Sequence, residues 1–314
     1  MFAARCVGIS LAVFVLLYVP LSVAVSRGWI LMRHVCGPQP ARRAADLLFT
    51  VRVAPFALAS IFTLVFTLPS FLLLEPRSIH EAVGRAPVVL GCCCLMLLVL
   101  GMVRTVSAQF MTWRTLAQWL DGSTTMESDH AVPVFRTGKE VPTLTLAGVR
   151  KPKVVVSEAA VALLTPSELR TALKHEVAHV RSYDNLKKLV FRLAAFPGMM
   201  GLERAWGEET ELAADDAAVS SFSEALDLAS ALIKVSRLGS GQSSSVLATG
   251  LVHTGTALSR RVERLFAWKT SSSDSRGRRW RYTLPPLAAM LVLAVATYSS
   301  ALNGMHAVTE WLMR

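Results

Sequence analysis

TPSELRTALKHEVAH, residues 165–179, predicts a helix that begins at a definite residue and carries two histidines one turn apart. Thr165 and Glu168 have the spacing of a capping box, and Pro166 occupies the first helical position, where its missing N–H costs no hydrogen bond. An apolar stripe continues from this start without a Gly or Pro until well past His179. We therefore expect the whole stretch to be helical.

The two histidines of this helix are spaced to share one metal ion. Residues four apart lie on one face of an α-helix, so His175 and His179 can both reach a single tetrahedral ion. Glu176 stands beside the pair and is predicted to hold and deprotonate the metal's water, as in the H-E-x-x-H motif of zinc peptidases. The alternative is a chance pair of histidines on a helix. Tyr183, one turn past His179, is a candidate donor to a tetrahedral oxyanion, unless it packs against some other acceptor.

A second, acidic helix supplies the candidate third ligand. Residues 208–216 read EETELAADD and place Glu211 and Asp215 four apart on one face. We predict that Glu211 binds the metal and that Asp215 accepts a hydrogen bond from the second ring nitrogen of a ligand histidine. The alternative is an exposed acidic helix start, which applies above all to Glu208 and Glu209.

The composition indicates a membrane protein. The chain has 314 residues, of which 53% are hydrophobic, and a formal net charge of +11. The basic residues are scattered or lie at the ends of apolar runs without interleaved aromatics, so no direct nucleic-acid partner is expected. The five cysteines lie in or beside apolar runs, which predicts neither a disulfide framework nor a cysteine zinc site.

Four apolar runs are long enough to cross the ~30 Å hydrocarbon core of a bilayer. They cover residues 6–25, 53–74, 86–103 and 284–302. The loop after the first run is rich in arginine, so the positive-inside rule places it in the cytoplasm and the N-terminus outside. We expect three regions: a three-span region over 1–107, a cytoplasmic domain over 108–282, and a final helix with a short outer tail over 283–314.

Within the cytoplasmic region the pattern predicts helices around a few short strands. Residues 132–156 contain short Val and Thr runs broken by Gly and Pro, and we expect an edge strand at 153–156. Helices are expected over 108–120, 222–238 and 256–268, with a polar linker over 121–130. The apolar stretch 189–202 is interrupted by Arg192 and Pro197 and is too short for a comfortable span.

Together these motifs resemble the BlaR/MecR-type integral-membrane metallopeptidases, the antirepressor family of the gluzincins. The resemblance rests on His175-Glu176-x-x-His179, on Asp184-Asn185, and on Glu211-Leu-Ala-Ala-Asp215. The HtpX and CAAX-prenyl endopeptidase group shares both metal motifs, but its members are expected to place membrane helices between them. Since only a short tail follows the last run, we expect no extracellular penicillin-binding sensor domain.

The resemblance implies a mostly α-helical membrane protein with four transmembrane helices and a cytoplasmic α+β zincin-like metalloprotease domain. It implies one zinc per chain and a protein substrate such as a transcriptional repressor, in the inner membrane of a bacterial-type cell. Related chains carry an arginine in the late helix, which makes Arg261 a candidate active-site residue; a solvated basic face is the alternative. Homodimerisation stays open.

Two further function classes compete with a zinc endopeptidase. A non-catalytic signalling scaffold could keep a structural metal site, but such a site would be expected to recruit a fourth protein ligand and would not need Glu176. A transporter is disfavoured because no ionisable residue lies deep inside a predicted span. An HtpX-like quality-control protease is the remaining alternative.

Overall fold

The computed structural model describes residues 2–32, 39–75, 84–127, 132–138, 144–238, 249–250, 255–268 and 284–313. Its contacts divide the chain into two units. We call them the helical unit (Met1–Ile30, Val53–Leu100 and Ser271–Arg314) and the mixed unit (Leu31–Arg52 and Gly101–Thr270). The domain limits expected at 107/108 and 282/283 stay a prediction.

Helices make up most of the described chain. In order they are α1 (Phe2–Met32), α2 (Ala41–Phe62), α3 (Leu68–Leu74), α4 (Arg85–Leu120), α5 (Glu158–Leu163), α6 (Pro166–Arg181), α7 (Asp184–Leu193), α8 (Met200–Ala218), α9 (Phe222–Leu238), α10 (Gly255–Phe266) and α11 (Leu284–Met313). The strands are β1 (Thr124–Met126), β2 (Val134–Thr137), β3 (Leu144–Ala147), β4 (Lys153–Ser157) and β5 (Thr249–Gly250).

Three helical stretches among the described residues are long and apolar enough to cross a membrane. They are Phe2–Trp29, Ala41–Leu74 and Arg85–Leu120. The second consists of α2, a π-helical turn at Thr63–Thr67, and α3. The fourth predicted span falls in α11, most of whose apolar half has side chains outside the described part, so that span stays a prediction.

Aromatic and polar contacts hold the helical unit together. The rings of Phe14 and Tyr18 on α1 meet Phe56 on α2 edge to face, with centroids 5.6 and 5.7 Å away. Arg5 and Glu75 form a buried ion pair of 2.8 Å. Such a pair is costly to break, because either charge left alone would be buried without a partner.

The mixed unit is built on a five-stranded sheet in the order β1-β2-β4-β3-β5. β2 and β4 are parallel, and the other neighbours are antiparallel. The expected edge strand at 153–156 is therefore wrong: this segment forms β4, which pairs with β2 on one side and β3 on the other. Its valines are buried on both faces of the sheet, as in a central strand. A short strand, β1, also lies in the predicted linker.

Helix α6 packs on this sheet and begins as predicted. The Thr165 hydroxyl accepts the Glu168 N–H, and the Glu168 carboxylate accepts the Thr165 N–H, which completes the capping box. Ala172, Leu173 and Val177 join the buried core formed by the strands and α9. Because the apolar stripe faces the sheet and α9, the helix is fixed along its length, and its histidines acquire a defined position.

The first residues of α2 belong to the mixed unit and dock on α7 and α8. Arg52 is 1% exposed and donates hydrogen bonds to the Glu203 carboxylate at 2.7 and 2.9 Å and to the Phe191 carbonyl at 3.3 Å. Asp46 accepts a hydrogen bond from Lys187 at 3.0 Å. These contacts tie α7 and α8, which border the two predicted metal motifs, to one further helix.

Candidate metal centre

Helix α6 presents both predicted histidine ligands to one point. The Nε2 atoms of His175 and His179 lie 3.2 Å apart, and their rings stand nearly perpendicular, at 84°. Each residue is 1% exposed. The predicted one-turn spacing therefore brings two imidazole nitrogens together in a buried place.

Helix α8 completes the donor set with a carboxylate. The Oε2 atom of Glu211 lies 3.4 Å from His175 Nε2, and its Oε1 atom lies 3.6 Å from His179 Nε2. In the described residues, these three buried side chains offer ligand atoms that all lie within 4.8 Å of one another. Glu211 is 5% exposed, so the alternative of an exposed acidic helix start is wrong for it. The side chains of Glu208 and Glu209 are 46% and 22% exposed, but both lie in the middle of α8 and not at its start.

A carboxylate stands behind each histidine. His175 Nδ1 lies 2.9 Å from Asp215 Oδ1, and His179 Nδ1 lies 2.7 Å from Asp184 Oδ2. Such partners fix the ring orientation and leave the opposite nitrogen free to bind a metal. Sequence reasoning did not assign Asp184 this role. The sequence does contain a signal for this role, because Asp184 follows the second histidine by five residues and is the first residue of the next helix.

Arg261 of α10 reaches the site from a distant part of the sequence. Its guanidinium donates to both Asp215 oxygens at 2.6 and 2.7 Å, and its Nη1 lies 3.1 Å from Glu211 Oε2. The residue is 3% exposed, so the alternative of a solvated basic face is wrong for Arg261. Its neighbours Arg260 and Arg264, with side chains 60% and 41% exposed, form that face instead.

Glu176 is fully buried and has no hydrogen-bond partner among the described residues. Burial raises the pKa of this carboxyl to about 7, against the pull of His175 and His179. A group that titrates near neutral pH is well suited to take up and release a proton. Glu211 differs, since His179 and Arg261 overcome the effect of burial and hold its pKa well below the usual range.

Tyr183 does not join these residues. It forms the turn between α6 and α7 with a positive φ of 55°, and its side chain is 69% exposed. The residue therefore reverses the chain and delivers Asp184 to His179, while its own side chain stays largely in contact with solvent. The structure does not support the predicted oxyanion role.

The residues present fit a catalytic zinc ion. Two imidazoles and one carboxylate are a donor set of such sites, which keep one position open for water. Both oxygens of Glu176 are buried and accept no hydrogen bond from the described residues, and a metal-bound water would satisfy them. Burial alone would lower the pKa of His175, but Asp215 and Glu211 raise it to about 9, so metal binding has to displace a proton.

Comparison with known families agrees with this geometry. The sequence model of the BlaR1 peptidase M56 family matches residues 88–265, more than half of the chain. The chain belongs to the M56 peptidase family. The family match and the three apolar helices support a membrane-associated metallopeptidase, and M56 metallopeptidases use a metal that is typically zinc. No curated protein matches the chain.

Proposed function

We propose that this M56 protein is a membrane-bound zinc endopeptidase that cleaves a cytoplasmic regulatory protein. The observation that carries the proposal is the buried His175–His179–Glu211 donor set with the unpartnered Glu176 carboxylate beside it. A purely structural metal site would be expected to recruit a fourth protein ligand and would have no use for a buried acid with a pKa near 7.

Zinc held by His175, His179 and Glu211 would polarise the scissile carbonyl and make its water more acidic. Glu176 accepts a proton from the attacking water and passes it to the leaving amine nitrogen. Asp215 and Asp184 keep the two imidazoles turned toward the metal position, and Arg261 holds Asp215 and Glu211 in place through its buried ion pairs.

The regulatory substrate, such as a transcriptional repressor, is proposed from the family relationship. The HtpX-like alternative is disfavoured because it expects membrane helices between the two metal motifs, His175–His179 and Glu211–Asp215. There the described residues form α7 and the first half of α8, and neither is a candidate span. The span arrangement thus favours the antirepressor type of M56 peptidase.

The replacement of Glu176 by Gln tests the proposal. The carboxamide keeps the shape of the side chain but cannot take up the proton, so zinc content should stay near wild type while cleavage falls by about 10²–10⁴-fold. The full chain is purified in detergent, zinc is measured by mass spectrometry, and cleavage of unfolded casein and of the protein's own loops is followed.

Glu263→Gln on the exposed face of α10 is the matched control and should cleave normally. A Glu176→Gln protein that keeps both zinc and full cleavage would exclude this chemistry. In cells, the response that the wild-type protein triggers is compared with that of Glu176→Gln. If the two responses are the same, the signalling-scaffold function is favoured.

A further inference from the structure

The connection between α7 and α8 is apolar and partly exposed. Residues 193–202, which we call the α7–α8 tip, read LAAFPGMMGL and contain no charged side chain. Pro197 and Met200 are exposed, and Met200, at 79%, has the largest exposed fraction among the large apolar side chains that the structure describes. Since exposure of such a segment to water is unfavourable, we expect an apolar surface to cover it.

Helix α7 runs alongside the first turns of α2, and both segments advance in the same direction. Three contacts follow one another in the same order along the two: Arg42 donates to Ser182, Lys187 to Asp46, and Arg52 to the Phe191 carbonyl oxygen. From Arg42 to Arg52, α2 rises about 15 Å. The position of a residue on α7 can therefore be read against the position of its partner on α2.

This comparison places the α7–α8 tip where the apolar run of α2 begins. Ala41–Leu74 is a candidate membrane span, and no charged residue follows Arg52 within it. The part that would lie in the hydrocarbon of a bilayer therefore starts directly after Arg52. Phe191 is level with Arg52, and the tip starts two residues later. The tip thus lies at the height at which α2 would enter the membrane.

Helix α4 gives the same height independently. A side-chain carbon on Gly101 would overlap the Leu193 carbonyl oxygen, so the two backbones touch and a larger residue would push them apart. Gly101 lies close to the end of the apolar run 86–103 and three residues before Arg104. Two candidate spans that are distant in sequence therefore both place the first residue of the tip at one end of their apolar runs.

The charges around the α7–α8 tip suit the interface of a bilayer. Arg192 directly precedes the tip, and the exposed Arg204 follows two residues after its end. Glu203, the one acid beside it, lies 2.7 Å from Arg52. Arginines that bracket an apolar segment can extend toward lipid phosphates while the segment itself contacts the acyl chains.

We propose that the α7–α8 tip inserts into the bilayer interface, with Pro197 and Met200 in contact with lipid. Ten residues are too few to cross the hydrocarbon core, but they are enough to enter it from one side. The placement goes beyond the proposed peptidase function and does not depend on it. Glu211 follows Met200 by about 16 Å along α8, so the metal centre is held close to the membrane surface.

The test measures the depth of spin labels in nanodiscs of phosphatidylethanolamine and phosphatidylglycerol. Met200→Cys and Pro197→Cys, in a cysteine-free full chain, each carry a nitroxide. Its collision rate with oxygen, which concentrates in lipid, is compared with its collision rate with a water-soluble nickel chelate. Both labels should lie about 5–10 Å below the lipid phosphates.

Leu186→Cys on α7 is the matched control, because Leu186 is also apolar and is 46% exposed. It lies beside Lys187, whose partner Asp46 is about 9 Å back along α2 from Arg52, so its label should lie about 9 Å nearer to the water.

Two results would overturn the placement. One is a Met200 label that collides with the nickel chelate as often as the Leu186 label does, which would put the tip in water. The other is low collision with both reagents, which would show that protein, such as a second copy of the chain, covers the tip.

A second measurement keeps the native cysteines. With the photoreactive residue benzoylphenylalanine in place of Met200, illumination in the same nanodiscs should add the mass of a lipid to the chain. Crosslinks to protein alone would contradict the proposal. Neither measurement requires cleavage, so a chain without peptidase activity would refute the proposed function and leave the lipid contact standing.

Discussion

At the residue scale, the centre is arranged in two layers of side chains. The metal-facing atoms of His175, His179 and Glu211 converge, and behind them Asp215, Asp184 and Arg261 hold the three side chains in a dry environment. Because the second layer is itself hydrogen-bonded, a metal would meet ligands that already point the right way, which reduces the ordering cost of binding.

The assignment of the third ligand can be checked on α8 itself. Glu211→Gln should lower zinc affinity by about 10-fold or more, since second-layer changes alone cost that much. The matched control is Glu208→Gln, three residues earlier on α8. The Glu208 side chain is exposed and lies 4.0 Å from Arg260, so this substitution should leave the zinc affinity unchanged. Chelator competition on the purified protein gives both affinities. Loss of zinc in Glu208→Gln but not in Glu211→Gln would make the assignment wrong.

At the element scale, the first turn of α6 is tied to α9 by polar contacts in addition to the apolar core. Glu168 of the capping box accepts hydrogen bonds from Ser230 at 2.5 Å and from Lys234 at 2.8 Å. Burial alone would raise the pKa of Glu168, but the bonds from Lys234, Ser230 and the Thr165 backbone lower it to about 2. The same carboxylate thus caps α6 and holds it to α9.

This depressed pKa predicts a pH-dependent contribution to stability. The unfolded chain protonates Glu168 near pH 4.5 and the folded chain near pH 2, so the contribution is fully present above pH 4.5 and is lost as the pH falls toward 2. Glu168→Gln should cost about 1–3 kcal/mol at neutral pH, and this difference from wild type should shrink below pH 4.5.

Thermal unfolding in detergent between pH 3 and pH 7 at constant ionic strength measures the difference, with the exposed Glu263→Gln variant as control. A difference between Glu168→Gln and wild type that did not change with pH would contradict the assignment.

At the scale of the whole molecule, the proposed function requires the centre to face the cytoplasm. We predict four spans, with the N- and C-termini outside and residues 27–44 and 108–282 inside; the three apolar helices support the first three of these spans. Gly138 is a suitable label site, because a side chain there would meet only the flexible carboxylate of Glu158, at 3.3 Å.

In a cysteine-free background, Gly138→Cys should resist an impermeant maleimide in intact cells and react after permeabilisation. As the control for the outer side of the membrane, a reporter that is active only outside the cytoplasm should be active when it is fused at Arg314. Labelling of Gly138→Cys in intact cells would overturn the predicted topology and the cytoplasmic substrate together.

Sequence by itself determined the features that depend on local geometry. The capping box, the one-turn spacing of His175 and His179, and the apolar lengths of three helices follow from backbone periodicity and side-chain hydropathy within short windows. The prediction of helix 222–238 is confirmed by α9 for the same reason. The one-turn spacing of Glu211 and Asp215 likewise placed both on the side of α8 that meets α6.

Only the tertiary structure decided which distant segments meet. The 153–156 strand was expected at an edge, yet β2 and β3 enclose it. Arg261 reaches Asp215 across 46 residues, and Asp184 is positioned by the turn at Tyr183. Such contacts depend on how separate elements pack, and the free energy that fixes them comes from burial of the combined core, which no single stretch contains.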